Sequence, residues 1–115
     1  MNSNQNQPSA NIGSASWAVA RLRQQHEQLE PPLVNQVVIG SPEIHPRHLS
    51  IALAFRDDAA LAEAKRKGHF GLLRQDLLKL LAEAGYPTNF LAACFLDFVS
   101  ETAVNEAGGP WIYFR

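Results

Sequence analysis

The sequence predicts an α+β fold, a two-layer sandwich in which two main helices cover one face of a mostly antiparallel four-stranded sheet. Three observations predict it. A helical stripe of apolar residues runs through residues 70–84, and large and small residues alternate strictly through residues 49–55 of a strand predicted over residues 48–55. The predicted elements follow one another in the order α-β-β-α-β-β, which favours helices packed on one side of a sheet. At 115 residues, the chain is long enough for one such domain.

The first residues differ from the rest in composition. Residues 1–13 are rich in Asn, Gln and Ser and contain Ile12 as their one large aliphatic residue. Such a segment buries too little apolar surface to offset the entropy lost on ordering. We therefore predict a disordered polar tail over residues 1–13 and a single α+β domain over residues 14–115.

A first helix is predicted to begin at Ser14 or Ser16, because either hydroxyl can accept a hydrogen bond from a free backbone N–H group at a helix start. Pro31 and Pro32 end it, since the residue before a proline avoids the helical region. The stripe along this helix consists of Val19, Leu22, His26 and Leu29.

Two strands follow, over residues 33–39 and 48–55. The second has the clearest pattern in the chain, with large apolar residues at odd positions and small residues at even positions. The large residues are Leu49, Ile51, Leu53 and Phe55, and the small ones are Ser50, Ala52 and Ala54. The two strands are predicted to pair antiparallel across a long loop.

The next segment is predicted to contain two helices. Asp57 or Asp58 caps the first, over residues 59–67, and Gly68 ends it. The second contains the apolar stripe over residues 70–84, with Leu77 at its centre.

The C-terminal part is predicted to contain two strands separated by a helical turn. Residues 91–99 form the first strand, with Cys94, Leu96 and Phe98 on one face and Asp97 on the other. Ser100 begins the turn, which ends at the glycines 108–109, and residues 111–114 form the last strand.

Composition excludes several classes of protein. The formal net charge is −1 and basic and acidic residues are interspersed, so a nucleic-acid partner is not expected. Cys94 is the one cysteine, which rules out an intramolecular disulfide and fits a reducing compartment. No apolar run approaches the ~20 residues that cross a bilayer, so no membrane association is expected. Because residues 1–13 do not resemble a secretory signal, a cytoplasmic location is expected.

The densest group of titratable residues is Glu43, His45, Arg47 and His48. Two histidines beside a carboxylate can ligate zinc or carry out acid–base catalysis. The alternative is a solvated loop between two strands. Since no second His or Cys pair completes a ligand set, the sequence favours the loop. We therefore predict no metal site and no catalytic residue, and these four residues are the candidates that this prediction sets aside.

Two other groups have simple structural explanations. Lys65, Arg66 and Lys67 can contact a phosphate or RNA backbone, but cations in the last turn of a helix also offset its partial negative charge. Cys94 lies on an apolar strand face with no neighbouring base, as a buried cysteine does. The glycine-rich motifs of nucleotide-binding loops are missing, so no cofactor is predicted.

The last five residues crowd together Trp111, Tyr113 and Phe114. Trp and Tyr are enriched in protein interfaces, and a strand that is apolar on both faces needs a cover on both. We therefore predict a contact with another protein or a homodimer through these residues. The competing possibility is that they complete a monomer's core.

Together these observations favour a small non-enzymatic module for protein–protein interaction, such as a bacterial immunity or antitoxin-like inhibitor or an adaptor. Two alternatives remain open. One is a small enzyme or a ligand or metal binder that uses Glu43, His45, Arg47 and His48. The other is an RNA-contacting module that uses the basic residues 65–67 with exposed aromatic side chains.

Overall fold

The computed structural model describes residues 10–40, 42 and 44–114, and for residues 10, 111 and 112 the backbone alone. This part of the chain forms five α-helices, three strands and two 3₁₀ segments. The α-helices are α1 (Ala10–Gln25), α2 (Asp58–Arg66), α3 (His69–Glu83), α4 (Glu101–Glu106) and α5 (Pro110–Tyr113). The strands are β1 (Leu33–Gly40), β2 (Leu49–Phe55) and β3 (Phe95–Ser100), and the 3₁₀ segments are Pro46–His48 and Thr88–Ala93.

The strands form one mixed sheet in the order β1-β2-β3. The predicted antiparallel pairing of β1 with β2 is confirmed, with Val38 opposite Ile51 and a shift in register between Leu33 and Asn35. β3 instead pairs parallel to β2, because α2 and α3 carry the chain back to the starting end of β2. The predicted four-stranded, mostly antiparallel sheet with two helices is therefore wrong. The fold is α+β with a three-stranded mixed sheet and more helices than expected.

The fourth strand is missing because residues 111–114 belong to a helical turn. Gly108 and Gly109 have φ angles of 107° and 106°, in a region that side chains other than hydrogen disfavour, and they redirect the chain. Pro110 then starts α5, since its fixed φ suits the first position of a helix. The N–H group of Tyr113 donates to the carbonyl of Gly109 at 3.0 Å.

The hydrophobic core lies between one face of the sheet and a layer made of α1, α2 and α3. We call this the inner face. Phe70 of α3 stacks on Phe98 of β3 with ring centroids 4.1 Å apart, and on Phe55 of β2 at 6.2 Å. The same helix therefore contacts both strands of the parallel pair. The inner-face side chains that pack into this core are Leu33, Val38, Leu49, Ile51, Leu53, Phe55, Leu96 and Phe98.

The first helix starts earlier than predicted. α1 begins at Ala10, before Ser14 and Ser16, the two predicted caps. The hydroxyl of Ser14 instead donates to the carbonyl of Ala84, just after α3, at 3.0 Å. Residues 1–9 lie outside the described residues, so the boundary between tail and domain stays a prediction.

The signals at the ends of α2 and α3 are confirmed. The carboxylate of Asp57 accepts a hydrogen bond from the N–H group of Ala60 at 2.9 Å and caps α2. Gly68 separates the two helices with φ of 82°. The stripe of α3 faces the core, where its buried residues are Leu73, Leu77, Leu80 and Leu81.

Leu77→Ala should lower the free energy of unfolding by about 2–5 kcal/mol, the range for a leucine truncated inside a core. Leu77 is 1% exposed, whereas Leu72 on the same helix is 42% exposed and provides the matched control. Leu72→Ala should change the free energy by less than about 0.5 kcal/mol. Denaturant titration measures both, and equal losses in the two variants would contradict the assignment of the α3 face.

Candidate functional site

The outer face of the sheet, opposite α1 to α3, has small residues along its centre. In register, its side chains form three rows across β1, β2 and β3, which are Asn35–Ala54–Val99, Val37–Ala52–Asp97 and Ile39–Ser50–Phe95. The middle residue of every row comes from β2 and is Ala or Ser. Large side chains occur only on the outer two strands, so the face is shallow along β2.

α4 covers the first of these rows. Ser100, buried at the end of β3, caps α4 by accepting a hydrogen bond from the N–H group of Ala103 at 2.9 Å. Thr102 is tied to the end of β2, because its N–H group and its hydroxyl donate to the carbonyl of Arg56 at 3.2 and 3.0 Å. Val104 then packs against a small cluster with Ala52, Ala54 and Val99.

The predicted interface residues Trp111, Tyr113 and Phe114 lie at α5, not on a strand. Phe114 is half-buried and packs against the cluster of the outer face. Tyr113 is 38% exposed, and its ring meets that of Phe114 edge-on with centroids 4.9 Å apart. The side chain of Trp111 lies outside the described part. The role of these residues in an interface therefore stays a prediction, while the strand on which it was based is not present.

An apolar groove of about 640 Å³ runs between β1 and α5. We call it the β1 groove. Among the described residues that line it, Ser50 alone has a polar side-chain atom. The lining residues are Val37, Val38, Ile39, Gly40, Ser50, Pro110 and Phe114.

Phe95 is the most exposed aromatic side chain among the described residues, at 59%. It lies on the outer face beside Asp97, since residues two apart on a strand share a face. Cys94, Leu96 and Phe98 share one face of the predicted strand, and Phe95 was not among the predicted functional residues. The same alternation was sufficient to place it on the opposite face.

Acidic and basic side chains both lie near this face, and the acidic ones come from the C-terminal part of the chain. The exposed cations are Arg56, whose carbonyl accepts hydrogen bonds from Thr102, and Arg74, which donates to the carbonyl of Leu96. Residues 80–114 include no Lys, Arg or His, and their acidic residues are Glu83, Asp97, Glu101 and Glu106. Asp97 and Glu101 are partly exposed, and Glu106 is exposed. The carboxylate of Glu101 accepts a hydrogen bond from the side-chain amide of Asn35 at 3.3 Å, which places it at the end of the outer face.

The loop that the sequence marked for chemistry has a structural role in its described part. His45 caps the first 3₁₀ segment, because its Nδ1 accepts a hydrogen bond from the N–H group of Arg47 at 3.2 Å. Its ring also contacts Phe90 edge-on, at 4.8 Å between centroids, and lies 5.8 Å from the ring of His48. Glu43 lies outside the described residues. His45, Arg47 and His48 are therefore close together, but Arg47 donates both to Nδ1 of His45 and, through its Nε at 3.5 Å, to Nε2 of His48.

Tyr86 holds this loop in place through a hydrogen bond. It is 1% exposed, and its hydroxyl donates to the carbonyl of Pro46. Cys94 lies nearby, where its thiol donates to the carbonyl of Phe90 at 3.4 Å. Burial raises the pKa of the Cys94 thiol, and a hydrogen bond with Tyr86 lowers it by less. Cys94 is thus a partly buried, protonated thiol with no feature of an activated nucleophile.

The basic residues at the end of α2 are mostly engaged within the fold. Arg66 lies 2.5 Å from the carboxylate of Glu63 and Lys67 lies 3.6 Å from it. These cations lower the pKa of Glu63. Lys67 also donates to the carbonyl of Glu30 at 3.0 Å. Lys65 is exposed, so two of the three cations act in local ion pairs and in capping.

One polar pair was not predicted. His26 Nε2 lies 2.8 Å from Asp76 Oδ2 and joins the segment after α1 to α3. His26 occupies a position on the apolar stripe predicted for the first helix, so a polar residue at that position already departed from the apolar pattern. Its partner comes from 50 residues away along the chain, and no local pattern indicates it.

No metal-binding group and no membrane span are found in the described part of the chain. Within residues 10–40, 42 and 44–114, no three His, Cys, Asp or Glu side chains are grouped to hold an ion. None of the helices there has the length and apolar composition that a membrane span requires. Comparisons with known proteins found no matching protein-family model, no similar curated protein and no similar solved structure.

Zinc should not bind stoichiometrically to the loop at neutral pH, since His45 Nδ1 is occupied by the N–H group of Arg47. Isothermal titration calorimetry of the wild type and of the double variant His45→Ala/His48→Ala should give indistinguishable heats. A sub-micromolar site that disappears in the double variant would contradict this prediction and favour the alternative of a metal-dependent activity.

Cys94 should react slowly with iodoacetamide, because the thiolate is the reactive form and a raised pKa leaves less of it. Mass spectrometry should show slower alkylation than for N-acetylcysteine amide, whose thiol is flanked by amide groups as in a chain, and similar rates when both are in guanidinium that unfolds the protein. Since the unfolded thiol loses its proton at a lower pH, the folded state should lose stability as the pH rises through the thiol range. Alkylation of the folded protein at the free-thiol rate would contradict the assignment.

Proposed function

We propose that this protein is a non-enzymatic protein–protein interaction module that binds a basic partner protein through the outer face of its sheet. The observation that carries the proposal is the incomplete cover of this face. α4 and α5 cover Val99 and Ala52, but Phe95, at the β3 end of the row Ile39–Ser50–Phe95, is left 59% exposed. Exposed apolar surface of this kind usually marks a contact with another molecule.

The chemistry of the face favours a protein over a small substrate. Sites for small molecules combine apolar walls with a few converging polar groups. Of the described residues in the lining of the β1 groove, Ser50 has the one polar side chain and none is titratable. Phe95 and Tyr113 instead provide exposed aromatic area, which is typical of the centre of a protein interface.

The charge of the face indicates the character of the partner. Asp97 lies among the apolar side chains and Glu101 lies at the end of the face. Of the cations near it, Arg56 pairs with Asp57 and Arg74 donates to the carbonyl of Leu96, so neither neutralises Asp97 or Glu101 in an ion pair. Complementary charges at the edge of an interface speed association and select the partner. A basic surface is common on enzymes that bind nucleic acids. The narrower form of the proposal is therefore a cytoplasmic inhibitor of the immunity or antitoxin kind, with an adaptor as the other form.

The two alternatives have less support. An enzyme that uses the loop would need a free imidazole at His45, which instead caps a 3₁₀ segment. An RNA-contacting module would need the cations of α2, but Arg66 and Lys67 are paired with Glu63.

The test compares partner binding by the wild type with that of Phe95→Ser. A tagged protein is used to capture partners from a lysate of the native host, and captured proteins are identified and purified for direct titration. A partner held through the outer face should be basic, should bind more weakly as salt is raised, and should lose about 2 kcal/mol or more with Phe95→Ser.

Leu72→Ser is the matched control, because Leu72 is also a large exposed apolar residue but lies on α3, on the opposite side of the sheet. It should leave the affinity unchanged, and thermal melting should show all three proteins folded. Equal binding by Phe95→Ser and the wild type would refute the outer face as the contact surface.

A further inference from the structure

The two edges of the sheet differ in how their backbone groups are satisfied. Backbone groups of an edge strand point alternately towards its neighbour and away from it. On β3, Leu96 and Phe98 point away from β2. The carbonyl of Leu96 accepts a hydrogen bond from Arg74 at 3.4 Å, and the N–H group of Phe98 donates to Asp97 Oδ1 at 2.9 Å. Charged side chains thus occupy the β3 edge, a common protection against pairing with another strand.

On β1, only the first half of the edge is occupied in this way. The carbonyl of Leu33 accepts a hydrogen bond from Arg23 at 3.2 Å, and the N–H group of Gln36 donates to Asn35 Oδ1 at 2.9 Å. Because the directions alternate, the next residues whose backbone groups point outward are Val38 and then Gly40, the last residue of the strand.

The second half of the β1 edge is open. Among the described residues, no hydrogen bond reaches the outward backbone groups of Val38 or Gly40. β1 has the sequence LVNQVVIG, with no Lys, Arg, Asp, Glu or Pro, the residues that usually protect an edge strand.

The β1 groove runs along this open edge. Val37 and Ile39 point to the outer face, whereas Val38 points to the inner face. The cavity contacts all three together with Ser50 and Phe114, so its apolar lining continues from the outer face to the open edge of β1. A strand added at this edge would extend that apolar surface.

We infer that β1 pairs antiparallel with β1 of a second copy of this chain, about a two-fold axis at Val38, and joins two sheets into one of six strands. In this register Val38 faces Val38 of the second copy, and Val37 faces Ile39 of the second copy. The inference goes beyond the contact with a basic partner and does not rest on it, because Phe95 lies on β3 at the opposite edge.

The second copy fits because the open segment is complementary to itself. Pairs of β-branched residues across an antiparallel ladder are favourable, and this register creates them on both faces. Gln36 faces Gly40 of the second copy. Because Gly40 has no side chain, there is room for the Gln36 side chain and for Arg23, whose Nη1 donates to Gln36 Oε1 at 2.6 Å. No two like charges meet, since β1 carries none.

The test is sedimentation of the full chain in four preparations: wild type, Val38→Lys, Val38→Glu and an equimolar mixture of the two variants. The wild type should dimerise reversibly on concentration. Each variant alone should be monomeric over the same range, since like charges lie opposite each other at the two-fold axis, and the mixture should regain the dimer through opposite charges. Phe95→Ser should dimerise as the wild type does, even if it has lost the basic partner.

A second measurement needs no substitution, in case charge at Val38 unfolds the chain. Amide hydrogen exchange of the wild type by NMR should show the N–H of Val38 exchanging fast at low concentration and slowly at high concentration. Exchange of Leu53, in the central strand, should not depend on concentration and serves as the control.

Several results would overturn the inference. The first is a wild type that stays monomeric at all concentrations. The second is a dimer that persists in both single variants. The third is a Val38 amide whose exchange rate does not change with concentration. Protection of that amide only when a captured partner is added would assign the edge to a strand of the other protein. None of these results would affect the test of Phe95.

Discussion

The structure depends on one constraint, the alternation of large and small residues along the central strand β2. Leu49, Ile51, Leu53 and Phe55 all point to the inner face and are at most 2% exposed. Burying four such side chains, each contributing roughly 1.5–3 kcal/mol, requires a thick layer against that face. α1, α2 and α3 provide it. The opposite positions carry Ser50, Ala52 and Ala54, which need little cover, and two short helices are enough.

The asymmetry of β2 also explains why the outer face is incompletely covered. α4 and α5 span only 6 and 4 residues, so they cover the middle of the face but reach neither Phe95 nor the whole of Ile39. The features that we connect with function lie in this region. They are the exposed aromatic ring, the acidic side chains near it and the groove along β1.

The polar residues that were candidates for catalysis or binding have structural roles in the described part of the fold. His45 caps a 3₁₀ segment, Tyr86 holds the carbonyl of Pro46, and Glu63 pairs with the cations that end α2. Charged groups were also used to close the β3 edge, where Asp97 and Arg74 satisfy backbone groups. On β1, Arg23 and Asn35 do the same only for the first half of the edge, and among the described residues the second half has no equivalent.

The sequence by itself determined the elements whose causes are local. The alternation of β2, the cap at Asp57, the break at Gly68 and the stripe centred on Leu77 were each predictable, because the residues that cause them lie within a few positions of one another.

Only the tertiary structure decided how these elements combine. β3 became parallel because two helices return the chain to the start of β2. The helical turn at residues 111–114 was missed although its causes, Gly108, Gly109 and Pro110, are local. The pair of His26 with Asp76 joins positions that lie 50 residues apart. Periodicity shows which side chains share a face, but the cover over that face comes from elements distant in sequence. The exposure of Phe95 and the open edge of β1 could therefore be found only in the folded chain.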